Sequence, residues 1–164
     1  MISPIIRPIA SHDNAELAQL IRSVLKEFKA NKPGTAYFDE ETAHLYEVFQ
    51  RPNSAYWVVE LEGKIIGGGG IYPTNGLPAD TCELVKLYLY PEARGLGLGK
   101  AIIQKCLEAA KAFGYRQIYL ESMPELNQAV SLYERLGFKK LSSPLGNSGH
   151  FGCDIWMAFS VDSW

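Results

Sequence analysis

The sequence predicts a mixed α/β (α+β) fold in which seven strands and four helices follow in the order β-α-α-β-β-β-α-β-α-β-β. Three observations carry this reading. Apolar residues switch between strand and helix periods along the chain, glycine and proline mark the switches, and no repeat, low-complexity tract or linker interrupts them. At 164 residues, 47% hydrophobic and 21% charged, the chain suits one domain spanning 1–164 with a packed core.

The first strand falls near Pro4 to Ile9. Ser11-His12-Asp13-Asn14 offers N-cap residues for a helix whose Leu17, Leu20, Ile21, Val24, Leu25 and Phe28 recur at helical spacing as far as Ala30. After the break at Asn31-Lys32-Pro33-Gly34, a second amphipathic helix is expected over Asp39 to Gln50, with Ala43, Tyr46, Val48 and Phe49 facing inward. Tyr56 to Leu61 and Lys64 to Tyr72 are rich in β-formers, and Glu62-Gly63 between them predicts a tight hairpin turn. Cys82 to Tyr90 is a strand ended by Pro91. Ile102, Ile103, Cys106, Leu107, Ala110 and Phe113 then mark the third helix, with Gly114 as its C-cap. Gln117 to Glu121 is a short strand. Ser122-Met123-Pro124-Glu125 reads as a capping box opening a fourth helix that carries Ala129, Val130, Tyr133 and Leu136 and closes at Gly137. Phe138 to Leu141 and Asp154 to Val161 are the last strands, separated by the turn-rich Ser142 to Gly152.

Charge narrows the partners. The formal net charge is -2, the pI is about 5.9, and lysines and arginines are scattered, so nucleic acid is a poor fit. No apolar stretch reaches the length that spans a bilayer, and Met1-Ile2-Ser3-Pro4-Ile5-Ile6-Arg7-Pro8 lacks the plan of a signal peptide; the expectation is a cytoplasmic protein. Cys82, Cys106 and Cys153 form no CxxC or Cys/His metal spacing and read as buried free thiols, with a catalytic thiol as the alternative; no metal site is expected.

The most informative stretch is Arg94-Gly95-Leu96-Gly97-Leu98-Gly99-Lys100, between a strand and a helix. Glycines let successive N–H groups turn inward, and a helix start adds partial positive charge, so a diphosphate fits there. Arg94 and Lys100 could add charge from its flanks. A P-loop would need glycine where Arg94 stands and Ser or Thr where Ala101 stands, so that reading fails. A dinucleotide fingerprint wants a third glycine at Lys100, although Glu121 ends the next strand where a ribose-binding acid would lie. A merely tight turn is the plain alternative.

Leu87-Tyr88-Leu89-Tyr90-Pro91-Glu92-Ala93-Arg94-Gly95-Leu96-Gly97-Leu98-Gly99 resembles the acetyl-CoA signature of GNAT acetyltransferases, R-x-x-G-x-G after a strand. Ser131-Leu132-Tyr133-Glu134-Arg135-Leu136-Gly137-Phe138 resembles that family's second signature, L-Y-x-x-x-G-F. The resemblance covers the C-terminal half; the N-terminal half agrees only in element order. It implies a GNAT-like fold, with a twisted, mostly antiparallel sheet splayed between the fourth and fifth strands. It also implies acetyl-CoA as co-substrate, its pyrophosphate on the backbone of Arg94, Gly95, Leu96, Gly97, Leu98, Gly99 and Lys100 and its pantetheine arm against Leu87 and Leu89. The Leu89 N–H would polarise the acetyl carbonyl. The family often places asparagine where this chain has Leu126; Asn127, one residue on, is either the substitute grip on the cofactor or an exposed residue in the helix's first turn.

Amide formation needs a neutral amine and a protonated leaving thiolate. Glu83 occupies a position resembling the family's general-base glutamate, and strict alternation would put it on the face of Val85, Leu87 and Leu89. Burial there would raise its pKa; a solvated edge carboxylate is the alternative. Tyr133 matches the signature tyrosine, a proton donor to the sulfur, or else a core aromatic. Gly67-Gly68-Gly69-Gly70 lies inside a strand, where it allows close packing or shapes an acceptor groove, and His150 either lines that groove or stands in solvent. The implied acceptor is a primary amine on a small molecule, amino acid or peptide, with no membrane partner and homodimer formation open. The competing classes are an acyl-CoA-binding sensor and a dinucleotide-dependent oxidoreductase.

Overall fold

The protein's structure, a computed structural model describing residues 2–164, is built around one seven-stranded sheet. Its strands are β1 (Ile5–Pro8), β2 (Ala55–Leu61), β3 (Lys64–Tyr72), β4 (Thr81–Leu89), β5 (Gln117–Ser122), β6 (Lys139–Leu141) and β7 (Ile155–Ser160), in the spatial order β1-β2-β3-β4-β5-β7-β6. Every neighbouring pair is antiparallel except β4 and β5, which run parallel. That pair registers only Thr81 with Gln117, Cys82 with Ile118 and Glu83 with Tyr119, and beyond Glu83 the strands part.

Four α-helices cover the sheet: α1 (Asn14–Glu27), α2 (Leu45–Val48), α3 (Leu98–Ala112) and α4 (Asn127–Leu136). Leu17, Leu20, Ile21, Val24 and Leu25 form the buried stripe of α1 and pack with Val58, Ile65 and Val85 on one face. Ile102, Ile103, Cys106 and Leu107 of α3 and Val130 and Tyr133 of α4 pack with Ile66, Leu84, Ile118 and Leu120 on the other. The β2–β3 turn has Glu62 at φ 51 and Gly63 at φ 80, the two left-handed residues that a two-residue hairpin loop needs. Gly137, at φ 104, closes α4 as expected.

Three expectations need correction. Instead of one helix over Asp39 to Gln50, a 3-10 turn (Glu40–Ala43) and the single turn of α2 are separated at His44, whose φ is -134. Side chains compete with the helical ladder there: the Thr42 hydroxyl donates to the Ala36 carbonyl at 2.7 Å, and Asn14 Oδ1 accepts the Tyr46 N–H at 2.8 Å. The buried residues of this segment are Thr42, Leu45 and Phe49, whereas Ala43, Tyr46 and Val48 are only half-buried. The capping box also fails. Ser122 is the buried last residue of β5, its carbonyl accepts the Asp154 N–H at 3.1 Å, and α4 follows a 3-10 turn (Pro124–Leu126) without a side-chain cap.

The third correction concerns β4. Gly70 pairs with Val85 and Gly68 with Tyr88, so Lys86 and Leu87 together oppose Gly69. Such a bulge reverses the side-chain phase. Val85 and Tyr88 pack on the α1 side, while Cys82, Leu84, Leu87 and Leu89 pack on the α3 side, so Glu83 does not share a face with Leu87 and Leu89. Lys86 sits at the kink with φ 52, and its carbonyl accepts the Tyr56 hydroxyl at 2.8 Å. The glycine run of β3 is there for close packing. A Cβ on Gly69 would come within 2.8 Å of Leu87 and 2.9 Å of Ile102; one on Gly68 would lie 2.8 Å from the Tyr56 hydroxyl.

Candidate active site

The parting of β4 from β5 opens a cavity of about 350 Å³, floored by Glu83 to Leu89 and walled by Leu120 to Met123 of the β5 end and by Leu132 and Tyr133 of α4. One end is the glycine loop. Gly95 and Gly97 both have φ 76, a conformation that side-chain-bearing residues adopt only at a penalty, and Gly97 is the N-cap of α3. Gly99 is buried in the first turn, where a Cβ would stand 3.2 Å from Leu132 and 3.6 Å from Leu89. Gly95, Gly97, Leu98, Gly99 and Lys100 all line the cavity. The free N–H groups and positive end of a long helix therefore meet the cleft where an anionic group would lie.

Backbone pairing fixes the orientation of Leu89. The Tyr90 N–H donates to the Ile66 carbonyl at 2.9 Å, and Gly67 lies opposite Leu89. Antiparallel pairs alternate between bonded and non-bonded, so the Leu89 main chain turns away from β3, toward the parting. Its carbonyl is engaged by the Arg94 side chain, Nε at 3.1 Å and Nη2 at 2.9 Å. The N–H is left facing the cleft. Arg94 is further fixed by a two-pronged pair with Glu27, at 2.7 and 2.8 Å, and its guanidinium lies 4.8 Å from the centre of the Phe28 ring. Its fork thus ties the loop to β4 and α1, and its charge is shared with Glu27.

Farther in, Glu83 is 2% exposed, and one of its oxygens accepts the Thr74 hydroxyl at 2.5 Å. Burial pushes its carboxyl up to about 7, with the nearby Glu121 adding to the rise. Glu121 accepts from the Tyr119 hydroxyl at 2.6 Å and from Ser148. Oxygens of Glu83 and Glu121 and a ring nitrogen of His150 all lie within 4.8 Å of one another. His150 Nε2 is 2.6 Å from Asp39 Oδ2, and the same oxygen accepts Lys86 Nζ at 3.0 Å. Against the opposing pull of burial, Asp39 raises the His150 pKa. Tyr133 lines the cavity, and no hydrogen bond to its hydroxyl is found among the described residues; burial raises its pKa above the ordinary 10.

Of the residues singled out from sequence, the cavity gathers Glu83, Leu87, Leu89, Arg94, Gly95, Gly97, Leu98, Gly99, Lys100 and Tyr133. Leu96 and Asn127 are not among its lining: Leu96 is 64% exposed, and Asn127 is exposed at the start of α4, with its neighbours Leu126 and Gln128 facing the cleft instead. Cys153 is half-buried and lines the cavity, and burial pushes its thiol up to about 12. Asp39 and Lys86 escaped the sequence reading, and Glu121 and His150 were named there without the contacts that hold them, because those contacts span separations that periodicity does not carry. The turn-rich Ser142 to Gly152 segment is tied down by Ser148 to Glu121, by Asn147 N–H to the Asn75 carbonyl at 2.8 Å, and by Gly152 N–H to the Gly34 carbonyl at 2.9 Å.

A sheet parted at its one parallel pair, a helix N-terminus facing the gap and an unpaired strand N–H together define a group-transfer enzyme of the acyltransferase class. The chain belongs to the acetyltransferase (GNAT) family, whose sequence model matches residues 18–138. It is 41% identical over 157 residues to the uncharacterized N-acetyltransferase YjgM of Escherichia coli (strain K12), covering 94% of this chain and 93% of that protein. It is 32% identical over 120 residues to human N-acetyltransferase 8B, covering 69% of this chain and 53% of that protein. A GNAT-family acetyltransferase of Staphylococcus aureus Mu50 shares the fold with a TM-score of 0.86 at 17% identity, over 97% of this chain and 99% of that one. The PaiA N-acetyltransferase of Thermoplasma acidophilum, solved in complex with coenzyme A, superposes with a TM-score of 0.75 at 21% identity, over 96% and 99% of the two chains. No helix among the described residues is long and apolar enough to cross a membrane.

Proposed function

We propose that the protein transfers an acetyl group from acetyl-CoA to a primary amine of a small molecule, amino acid or peptide by direct attack in a ternary complex. The observation that carries this reading is the Leu89 N–H turned toward the parting of β4 and β5, a short way from the N-terminus of α3. An extended arm fits along that strand edge while its diphosphate meets the N–H groups of Gly95 to Lys100. The relative solved with coenzyme A supports the same ligand.

Acetyl-CoA supplies an activated thioester; the chain supplies donors and acceptors around it. Glu83, with a carboxyl near 7, takes a proton from the acceptor's ammonium and so frees the nitrogen lone pair. The Leu89 N–H donates toward the carbonyl oxygen as negative charge develops there. Tyr133, still protonated because burial raises its pKa, gives its hydroxyl proton to the departing sulfur. Cys153 is a poor nucleophile in this setting, since its thiol stays protonated at neutral pH.

The test is a titration followed by turnover. Intrinsic fluorescence should report saturable binding of acetyl-CoA and none of NAD(P)H, and a panel of amino acids, diamines and short peptides should release free thiol in a Glu83-dependent manner. Binding without release for any amine, unaffected by Glu83→Gln, would favour an acyl-CoA sensor instead.

A further inference from the structure

On the acetyl-transfer reading, each turnover must send a proton out of a site that its own reactants fill. When the acceptor nitrogen forms its bond to the thioester carbon, the C–S bond breaks and its electron pair goes to sulfur. An ammonium nitrogen starts with three hydrogens and the amide keeps one. Of the two protons released, one ends on the sulfur through Tyr133 and the other must reach water. Glu83 receives that second proton, yet it is 2% exposed, and the cleft beside it is the space the reactants fill.

A second cavity, of about 320 Å³, opens between Asp39, Arg51, Tyr72, Thr74 and Asn147. His150 is the one residue among those described that lines both cavities. Its imidazole is within 4.8 Å of the Glu83 carboxylate, a gap that a single bridging water covers, and its side chain is 14% exposed. Nδ1 stands 3.9 Å from Glu121 Oε1, while Nε2 is held at 2.6 Å by Asp39. The charged groups around it are Glu83 and Lys86 of β4, Glu121 of β5 and Asp39, with Glu40, Glu41 and Arg51 at the rim of the outer cavity.

We propose that His150, oriented by Asp39, is the proton relay that carries the acceptor's proton from Glu83 to the water of the outer cavity. The imidazole accepts at the ring nitrogen that Asp39 does not hold and releases from Nε2 to the Asp39 carboxylate, which lines the outer cavity and passes the proton to its water; exchange with water then restores the starting tautomer. A carboxylate partner on Nε2 holds the ring in reach of both sides.

The test compares His150→Ala with His150→Gln, using the amine of the panel that turns over fastest. Both variants should bind acetyl-CoA with wild-type affinity, which separates a failed relay from a failed acetyl-transfer reading. Both should lose kcat by about a hundredfold, the lower end of what a proton-transferring side chain contributes. Glutamine keeps a hydrogen bond to Asp39 but cannot titrate, so a purely structural role predicts that it restores activity and the relay predicts that it does not. Added imidazole should restore turnover to His150→Ala. Independently of activity, the NMR titration of the His150 ring in the cofactor-free protein should move to lower pH in Glu83→Gln, because the Glu83 charge favours the protonated ring. Full activity in His150→Gln, or a His150 titration indifferent to Glu83→Gln, overturns the proposal.

Discussion

Replacing Glu83 by glutamine is expected to slow transfer while making the folded protein more stable at alkaline pH. The side chain is buried, and its carboxyl is pushed from an ordinary 4.5 to about 7, with burial as the main cause. The native chain therefore keeps a proton between those values that the unfolded chain has already released. Stability from this group is fully present below pH 4.5 and is lost as pH rises through about 7. At 1.36 kcal/mol per pH unit, the loss amounts to about 3 kcal/mol at pH 8. Glutamine carries no charge and can still accept the Thr74 hydroxyl, so it escapes the loss. For a chain of this length, about 3 kcal/mol moves Tm by roughly 6 to 12 °C. The assay is thermal unfolding by circular dichroism without ligand: the two melts should nearly coincide at pH 4 and separate at pH 8, with Glu83→Gln the higher. Amine-dependent thiol release should fall on the order of a hundredfold, and its rise with pH through about 7 should disappear. A wild-type protein as stable as the variant at pH 8 would refute the reasoning, since Glu83 would then be neither effectively desolvated nor poised as a base.

Three further outcomes follow from the same geometry. Tyr133→Phe removes a hydroxyl with no hydrogen-bond partner among the described residues, so it should leave Tm within about 1 °C and acetyl-CoA affinity unchanged while kcat falls about a hundredfold, as steady-state kinetics would show. Gly97→Ala puts a side chain at φ 76 in open space; the backbone penalty of about 1 to 2 kcal/mol should appear in chemical denaturation, together with weaker acetyl-CoA binding by fluorescence titration. Gly70→Ala drives a Cβ into the Ala55 carbonyl and the Tyr56 ring at the centre of the sheet and should abolish soluble, folded protein, where Gly63→Ala, with no neighbour near its Cβ, should cost about 1 kcal/mol.

Elements whose signal is local were legible in the chain. Leu17 to Leu25 and Ile102 to Ala110 write helices in their spacing, Glu62-Gly63 writes a hairpin, and Gly95 and Gly97 stand where the backbone turns left-handed. Elements decided by distant partners were not. The segment Asp39 to Gln50 looks helical by period, but Asn14 and Thr42 divert its polar groups and break it in two. The bulge at Lys86 leaves no local mark, since it is set by Gly69 across the ladder, and it reverses the face on which every later residue of β4 lies. The candidate site divides the same way: its glycine loop was visible as a motif, whereas the Asp39, Lys86, Glu121 and His150 cluster draws on four separate stretches of chain.

The short seam between β4 and β5 has a mechanical consequence. Three residue pairs stitch one half of the sheet to the other, so the two halves are otherwise joined by the shared core under α3, by the ties of the 142–152 segment to Gly34, Asp39 and Asn75, and by whatever occupies the wedge between them. A ligand lying there bridges both halves and acts as a removable splint. Amide exchange in β5 should slow when it is bound, and the splint adds about 2.7 kcal/mol of stability once its concentration exceeds Kd a hundredfold. The protein is then stiffest when loaded and loosens as each product departs, which couples the rigidity of the sheet to the catalytic cycle.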